Sequence, residues 1–117
     1  MNLNEIIDLQ KEFDSRHKGR FDWDQKIDDS NIDVLEYLLL CVVGELGEAA
    51  NLIKKVIRGD YLLDEIKSEL SEEVADIFIY VIKLAYQLDI DLEKQFIEKQ
   101  GKNKERFVNF EKNKAGM

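Results

Sequence analysis

Apolar residues recur along this chain at spacings of three and four, the period of an α-helix, in four separate segments. The most regular segment runs from about residue 62 to residue 87, and its apolar positions are Leu63, Ile66, Leu70, Val74, Ile77, Val81, Leu84 and Leu88. This spacing is typical of the seam of a helical bundle. A polar stripe lies one position away and consists of Glu69, Glu73, Asp76, Tyr80 and Lys83. We therefore expect polar groups along the edge of the core rather than opposite it.

Two further helices are predicted before this one. The first covers about Leu3 to Phe13 or slightly beyond, with Phe13 on its apolar side. The second keeps a helical rhythm from about residue 34 to residue 57. We expect a capping box at Ser30 and Asp33 to start it, and Gly59 to end it with a left-handed residue.

The rest of the chain is less regular. Residues 15–29 contain the only tryptophan, Trp23, and read as a loop or a broken helix. Asp91 is expected to cap a fourth helix that extends to about Phe110, with a frayed tail over residues 111–117. The chain has no proline, so we predict one all-α domain over residues 1–117, with a core of about 31–110. The expected architecture is an antiparallel four-helix bundle.

Composition excludes several classes of protein. Seventeen Lys and Arg against 25 Asp and Glu give a net charge of −8, which argues against binding to a nucleic acid polymer or an anionic membrane. The single cysteine, Cys41, lies in an apolar run and suggests a reducing compartment. The first residues lack the features of a signal peptide, and no apolar run is long enough to span a membrane. We therefore expect a cytoplasmic protein.

The candidate chemistry lies in two acidic pairs on neighbouring helices: Glu45 with Glu48, and Glu73 with Asp76. Residues three apart share a helix face, and both pairs lie beside apolar stripes. An isolated pair of this kind usually belongs to a solvated face, but two pairs beside a core favour a cation site. The only histidine, His17, lies outside both long helices, which disfavours zinc and di-iron sites. Carboxylate oxygens are the ligands that Mg²⁺ or Mn²⁺ prefers, often with substrate phosphates completing the shell.

These motifs resemble the MazG-like, all-α nucleoside triphosphate pyrophosphohydrolases. The resemblance lies in the run Gly44 to Asn51, in Lys54 and Lys55, in Glu73 to Tyr80, and in Lys99, Asn103 and Arg106 before Phe107. It covers about Val34 to Phe107.

The resemblance implies that Glu45, Glu48, Glu73 and Asp76 bind Mg²⁺, with Mn²⁺ as the alternative ion. It also implies that water attacks the α–β linkage of a nucleoside triphosphate, with release of a monophosphate and pyrophosphate. Glu45 or Glu48 is the candidate base for that water. The expected substrate-binding residues are Lys54, Lys55, Tyr80, Lys99, Asn103, Arg106 and Trp23.

Two alternatives remain open at this point. A phosphoribosyl-ATP pyrophosphohydrolase would use the same acidic motifs on a different substrate, and a non-catalytic helical oligomerisation or partner-binding module would use none of them chemically. Apolar residues cover more than one face of the second helix, so we also expect a homodimer or homotetramer. The sequence leaves the base, the sugar and the physiological role undecided, although removal of unwanted nucleotides fits the residues.

Overall fold

The computed structural model describes residues 1–115, with side chains up to residue 112, and this part of the chain is helical without a β-strand. The α-helices are α1 (Leu3–Ser15), α2 (Ile32–Ile57), α3 (Leu63–Gln87) and α4 (Leu92–Ala115), and a single 3-10 turn (Asp29–Asn31) precedes α2. The predicted all-α class is confirmed. The segment between α1 and α2 is irregular, as its sequence indicates.

The start of α2 differs from the prediction. The side chain of Asp28 accepts a hydrogen bond from the Ser30 amide at 2.7 Å, and the side chain of Asn31 accepts one from the Asp28 amide at 2.7 Å. This reciprocal pair caps the 3-10 turn that leads into the helix. The predicted capping box at Ser30 and Asp33 is therefore wrong, because the cap begins two residues earlier.

The other helix ends follow the sequence signals. Gly59 has φ +90, so it supplies the left-handed residue after α2. Asp91 accepts the Lys94 amide at 3.1 Å and caps α4 as predicted. Asn2 caps α1 in the same way by accepting the Glu5 amide at 2.9 Å.

Helices α2 and α3 pack against each other after a short connection, and α1 packs on α3. The buried apolar residues are Ile27, Val34, Leu38, Leu52, Ile66, Ile82 and Ala85. Phe13, predicted on the apolar side of α1, is mostly exposed, while its neighbour Asp14 is buried. The irregular segment closes one end of this core through Ile27, whose amide donates to the Gln87 carbonyl at 2.9 Å.

Helix α4 extends away from the other three. Its large apolar side chains, including Phe96, Phe107 and Phe110, are exposed. The radius of gyration is 18.5 Å, against roughly 13 Å expected for a compact domain of this length. A single chain therefore packs three helices of the predicted bundle and leaves the fourth without a matching partner.

Two expectations concern the ends and the environment of the chain. The predicted frayed tail, 111–117, lies partly in α4 and partly outside the described residues, so it stays a prediction. Within residues 1–115, none of the helices combines the length and the hydropathy that crossing a bilayer requires.

Candidate metal centre

Three carboxylates from two helices meet on one side of the α2–α3 pair. One oxygen each of Glu45, Glu73 and Asp76 lies within 4.8 Å of the others. Glu73 and Asp76 share a face of α3 because they are three residues apart, and the packing of α2 on α3 brings Glu45 opposite them. We call these three residues the acidic cluster.

Two oxygens of the acidic cluster are shielded without compensation. Oε2 of Glu45 and Oε2 of Glu73 are inaccessible to solvent and accept no hydrogen bond from the described part of the chain. An ionised carboxylate can only accept, so the cluster cannot satisfy itself through its own members. Anionic oxygens in this state are costly unless a cation or a proton is added. Oxygen ligands of this kind fit a hard divalent cation.

Glu48 lies at the edge of the acidic cluster and is exposed. Contact with the Glu73 carboxylate, more than burial, raises the pKa of Glu48 above its ordinary value. Contact with Glu45, followed by burial, raises the pKa of Glu73. The four predicted carboxylates therefore form one electrostatically coupled group, with three at its centre and Glu48 at its mouth.

Tyr80 borders the acidic cluster one turn after Asp76. Burial, together with the neighbouring Cys41, Glu45 and Tyr37, raises the pKa of Tyr80 to about 12. Its hydroxyl is therefore neutral at ordinary pH and can donate a hydrogen bond. Cys41 is half-buried beside this tyrosine.

An aromatic cluster continues from Tyr80 towards the irregular segment and consists of Phe21, Trp23 and Tyr37. The ring centres of Phe21 and Trp23 are 4.7 Å apart, and those of Phe21 and Tyr37 are 5.0 Å apart. The ring centres of Trp23 and Tyr37 are 6.1 Å apart. These spacings are those of packed aromatic pairs, so the cluster is a single surface beside the acids.

A comparison with protein families decides the assignment of this fold. The MazG nucleotide pyrophosphohydrolase domain matches residues 34–109, which include both acidic pairs and most of the described helices. The chain belongs to this MazG family.

Two relatives of this MazG chain are named dCTP pyrophosphatase 1, and a third is a phage protein. The chain is 30% identical to dCTP pyrophosphatase 1 of Rattus norvegicus over 109 residues, which are 90% of this chain and 58% of the relative. The dCTP pyrophosphatase 1 of Mus musculus is 31% identical over 109 residues, which are again 90% of this chain and 58% of the relative. The Gene 37 protein of Mycobacterium phage L5 is 38% identical over 65 residues, which are 54% of this chain and 57% of that protein. The chain thus matches less than two thirds of the length of these curated relatives, and no solved structure matches it.

The basic residues predicted to contact phosphate lie in two places. Lys54 is exposed and Lys55 half-buried near the end of α2. Lys55 lies seven residues after Glu48, so it shares the same helix face about 10 Å further along. No hydrogen bond or ion pair within residues 1–112 joins either lysine to the acids, which leaves their phosphate role a prediction.

Lys99, Asn103 and Arg106 lie on α4, which does not pack on the α2–α3 pair. The sequence suggests that these three residues join the site, but a single chain does not bring them to its own acidic cluster. Asn103 shares a helix face with Phe96 and Phe107 because their spacings are close to whole turns. Lys99 and Arg106 lie beside that face.

A second buried polar group was not identified from the sequence. Asp14 of α1 and Lys83 of α3 are both buried, and the Lys83 ammonium lies 3.4 Å from an Asp14 oxygen. A signal for it exists, since Asp14 continues the stripe of Leu3 and Ile7 at helical spacing. An acid on an apolar stripe could have been paired with the basic residue on the polar stripe of α3.

Proposed function

We propose that this chain is a divalent-metal-dependent nucleoside triphosphate pyrophosphohydrolase. It would cleave the α–β phosphoanhydride of an NTP or dNTP, with water as the second reactant, to a nucleoside monophosphate and pyrophosphate. The observation that carries the proposal is the acidic cluster, with its two shielded and unpartnered oxygens, in a chain of the MazG family. Two relatives are named dCTP pyrophosphatase 1, so dCTP is the first substrate to test.

The acidic cluster would hold Mg²⁺ or Mn²⁺ through Glu45, Glu73 and Asp76, with Glu48 at its edge. The bound ion would neutralise phosphate charge and make a coordinated water more acidic. Glu48 is the better candidate to accept a proton from the attacking water, because it is exposed at the mouth of the cluster. Glu45 is the second candidate for that role.

The remaining residues would bind the nucleotide around this centre. The neutral hydroxyl of Tyr80 can donate to a phosphate oxygen, and Lys54 and Lys55 can approach from the opposite direction along α2. Tyr37 lies eight residues before Glu45, about 12 Å along the same helix. The aromatic cluster that contains Tyr37 and Trp23 therefore lies at a distance suited to the base when the phosphates contact the acids.

We further propose that the site is completed by a second copy of the chain, in a homodimer or a dimer of dimers. Leu40 of α2 is 61% exposed and Phe110 of α4 is 64% exposed, and exposed apolar faces of this extent are typical of subunit interfaces. Covering α4 with another copy would carry Lys99, Asn103 and Arg106 into that interface. Such an enzyme would act on the cytoplasmic nucleotide pool, where removal of unwanted nucleotides is its expected role.

The experiment is an assay of pyrophosphate release from dCTP and a panel of other nucleotides, with and without Mg²⁺. We expect Mg²⁺-dependent release that Glu48→Gln and Asp76→Asn each lower by about 100-fold or more, since proton transfer and metal binding contribute at least this much. Mg²⁺ should also raise the melting temperature of the wild type and not that of Asp76→Asn, because a ligand stabilises only the state that binds it.

Glu72→Gln is the matched control, because Glu72 is adjacent to Glu73 and exposed on another face of α3. It removes the same charge and should leave turnover unchanged. Turnover that persists in both acidic-site variants would remove these residues from the mechanism. If Mg²⁺ causes no pyrophosphate release from any nucleotide and no change in melting temperature, the proposed function is wrong.

A further inference from the structure

Three residues of α3 contact Trp23, and Asp14 of α1 holds two of them. We infer that these four residues position the tryptophan for binding of the nucleobase. They are Asp14, Lys83, Tyr86 and Gln87, named here the tryptophan clamp. The inference rests on the proposed function, since it concerns the base-binding side of the same site. None of the four residues contacts the acidic cluster directly through a hydrogen bond or ion pair within residues 1–112.

The clamp contacts both the side chain and the main chain of Trp23. The Lys83 ammonium lies 4.3 Å from the centre of the indole ring, a cation–π distance. Gln87 Nε2 donates to the Trp23 carbonyl at 2.6 Å, and the Tyr86 hydroxyl lies 3.3 Å from the same oxygen. Residues 83, 86 and 87 share one face of α3, so one helix turn fixes Trp23 in an otherwise irregular segment.

Asp14 keeps the clamp in one arrangement. It is 1% exposed, and it accepts hydrogen bonds from Gln10 at 2.9 Å and from the Tyr86 hydroxyl. Its other partner is Lys83, which is 8% exposed and also lies 5.1 Å from the Tyr80 ring. The same ammonium is therefore shared by an acid, by Trp23 and by the tyrosine that borders the acidic cluster.

A buried ion pair is weak support for stability, because apolar residues of the same size often fold as well or better. Such a pair can instead hold neighbouring side chains in one position. Here it holds Trp23, which packs against Phe21 and Tyr37 in the aromatic cluster. The contacts of Lys83 to Trp23 and to Tyr80 connect the base-binding surface to the border of the acidic cluster. Lys83 and Asp14 are therefore positioning residues rather than catalytic ones.

The test replaces the ion pair by a neutral pair of similar size, in the Asp14→Asn/Lys83→Met double variant. An amide at position 14 can still accept from Gln10 through its oxygen, and its N–H can donate to the Tyr86 hydroxyl, so this variant is expected to fold with a melting temperature near that of the wild type. Loss of base stacking is worth about 5- to 150-fold in affinity. We therefore expect KM for the best nucleotide to rise within that range while kcat stays near the wild-type value.

Two further readouts separate positioning from general damage. Trp23 is the only tryptophan, so its emission maximum and its quenching by acrylamide report on the clamp without any assay of activity. Both should change in the double variant. Inorganic triphosphate has no base and probes the phosphate side alone, so its inhibition constant should stay the same. Lys83→Arg keeps the cation and should keep KM near the wild-type value.

Lys26→Met is the matched control, because it removes a lysine from an exposed ion pair with Asp89 and should change none of these quantities. The inference is overturned if Trp23 emission is unchanged, if KM is unchanged, or if KM and the triphosphate inhibition constant rise by the same factor. If the wild type hydrolyses no nucleotide, the proposed function fails, and this result is distinct because the Trp23 emission still reports on the clamp.

Discussion

Carboxylate oxygens in this protein are shielded from solvent in two chemically different settings. Asp14 accepts hydrogen bonds from Gln10 and Tyr86 and pairs with Lys83, so its burial is compensated by protein groups. Glu45 and Glu73 each shield one oxygen that has no such partner within residues 1–112. A carboxylate with protein partners has a structural role, whereas carboxylates that converge without partners fit a cation. The partners, rather than burial itself, distinguish the two groups.

Tyr86 provides a prediction at the scale of one residue. Burial, followed by its hydrogen bond to Asp14, raises the pKa of Tyr86 above the ordinary value of 10.0. The folded state therefore keeps this proton at a pH where the unfolded state has lost it. The stability that Tyr86 contributes is fully present below pH 10 and decreases as the pH rises above it.

We expect Tyr86→Phe to be less stable than the wild type at pH 8, because it leaves Asp14 with one hydrogen bond fewer. The difference in free energy of unfolding should stay constant up to about pH 10 and narrow as the pH rises towards 11 and beyond. Urea unfolding of both proteins across this range checks the expectation. Tyr61→Phe is the control, because Tyr61 is exposed in the α2–α3 connection. A constant difference between wild type and Tyr86→Phe would contradict the prediction.

At the scale of secondary structure, the candidate site residues lie on a helix face that adjoins the face packed in the core. Helix α3 shows this clearly, since Ile66 and Ile82 enter the core while Glu73, Asp76 and Tyr80 border it. The helical period explains why the acidic pairs were recognised from the sequence. It did not show where α2 begins, because the cap is formed by Asp28 and Asn31 before the regular apolar spacing starts.

Replacing either of two glycines by alanine is expected to change the free energy of unfolding, in opposite directions. Gly59 has φ +90, so Gly59→Ala should lower the free energy of unfolding by about 1 kcal/mol. Gly101 lies inside α4, and a methyl group added at this position would meet only open space. Gly101→Ala should therefore stabilise α4 by up to about 1 kcal/mol through helix propensity.

Position 101 lies on the side of α4 opposite Phe96, so the added methyl group should not disturb an interface there. Circular dichroism with chemical unfolding measures both variants. If both substitutions change the free energy of unfolding in the same direction, the left-handed conformation at Gly59 does not decide the effect of Gly59→Ala.

At the scale of the whole molecule, α4 is the helix that does not pack against the rest of its own chain. Its apolar residues are exposed and its polar residues Lys99, Asn103 and Arg106 remain remote from the helices that pack together. Phe96, Asn103 and Phe107 share a face, so covering the apolar residues would also place the polar ones against the partner. Oligomerisation and completion of the site are therefore expected to be one event.

Mixing two inactive chains tests this expectation. One chain carries Asp76→Asn and the other carries Lys99→Ala with Asn103→Ala, and each alone should be inactive. If the site uses residues of two copies, co-expression should restore about a quarter of the wild-type activity, since half of the dimers are mixed and each has one intact site. Lack of restored activity would place all of these residues in sites within one chain.

Light scattering coupled to size-exclusion chromatography gives the oligomeric state of the same samples. Phe107→Glu should weaken association because it places a charge in the apolar face of α4. Lys104→Glu is the control, since it changes a charge at an exposed position of the same helix. A wild-type chain that remains monomeric at micromolar concentration would contradict the interface.

Local spacing along the chain was enough to predict the helical class, the approximate helix bounds and the two acidic pairs, because each of these depends on residues within one helix. The same sequence contained the MazG motifs, which the family comparison confirmed. Which acids meet depends on packing, since the contact of α2 with α3 joins Glu45 to Glu73 and Asp76 and leaves Glu48 at the edge. Packing also pairs Asp14 with Lys83 around Trp23 and leaves α4 extended from the bundle. These features depend on contacts between residues far apart in the chain, which no local spacing specifies.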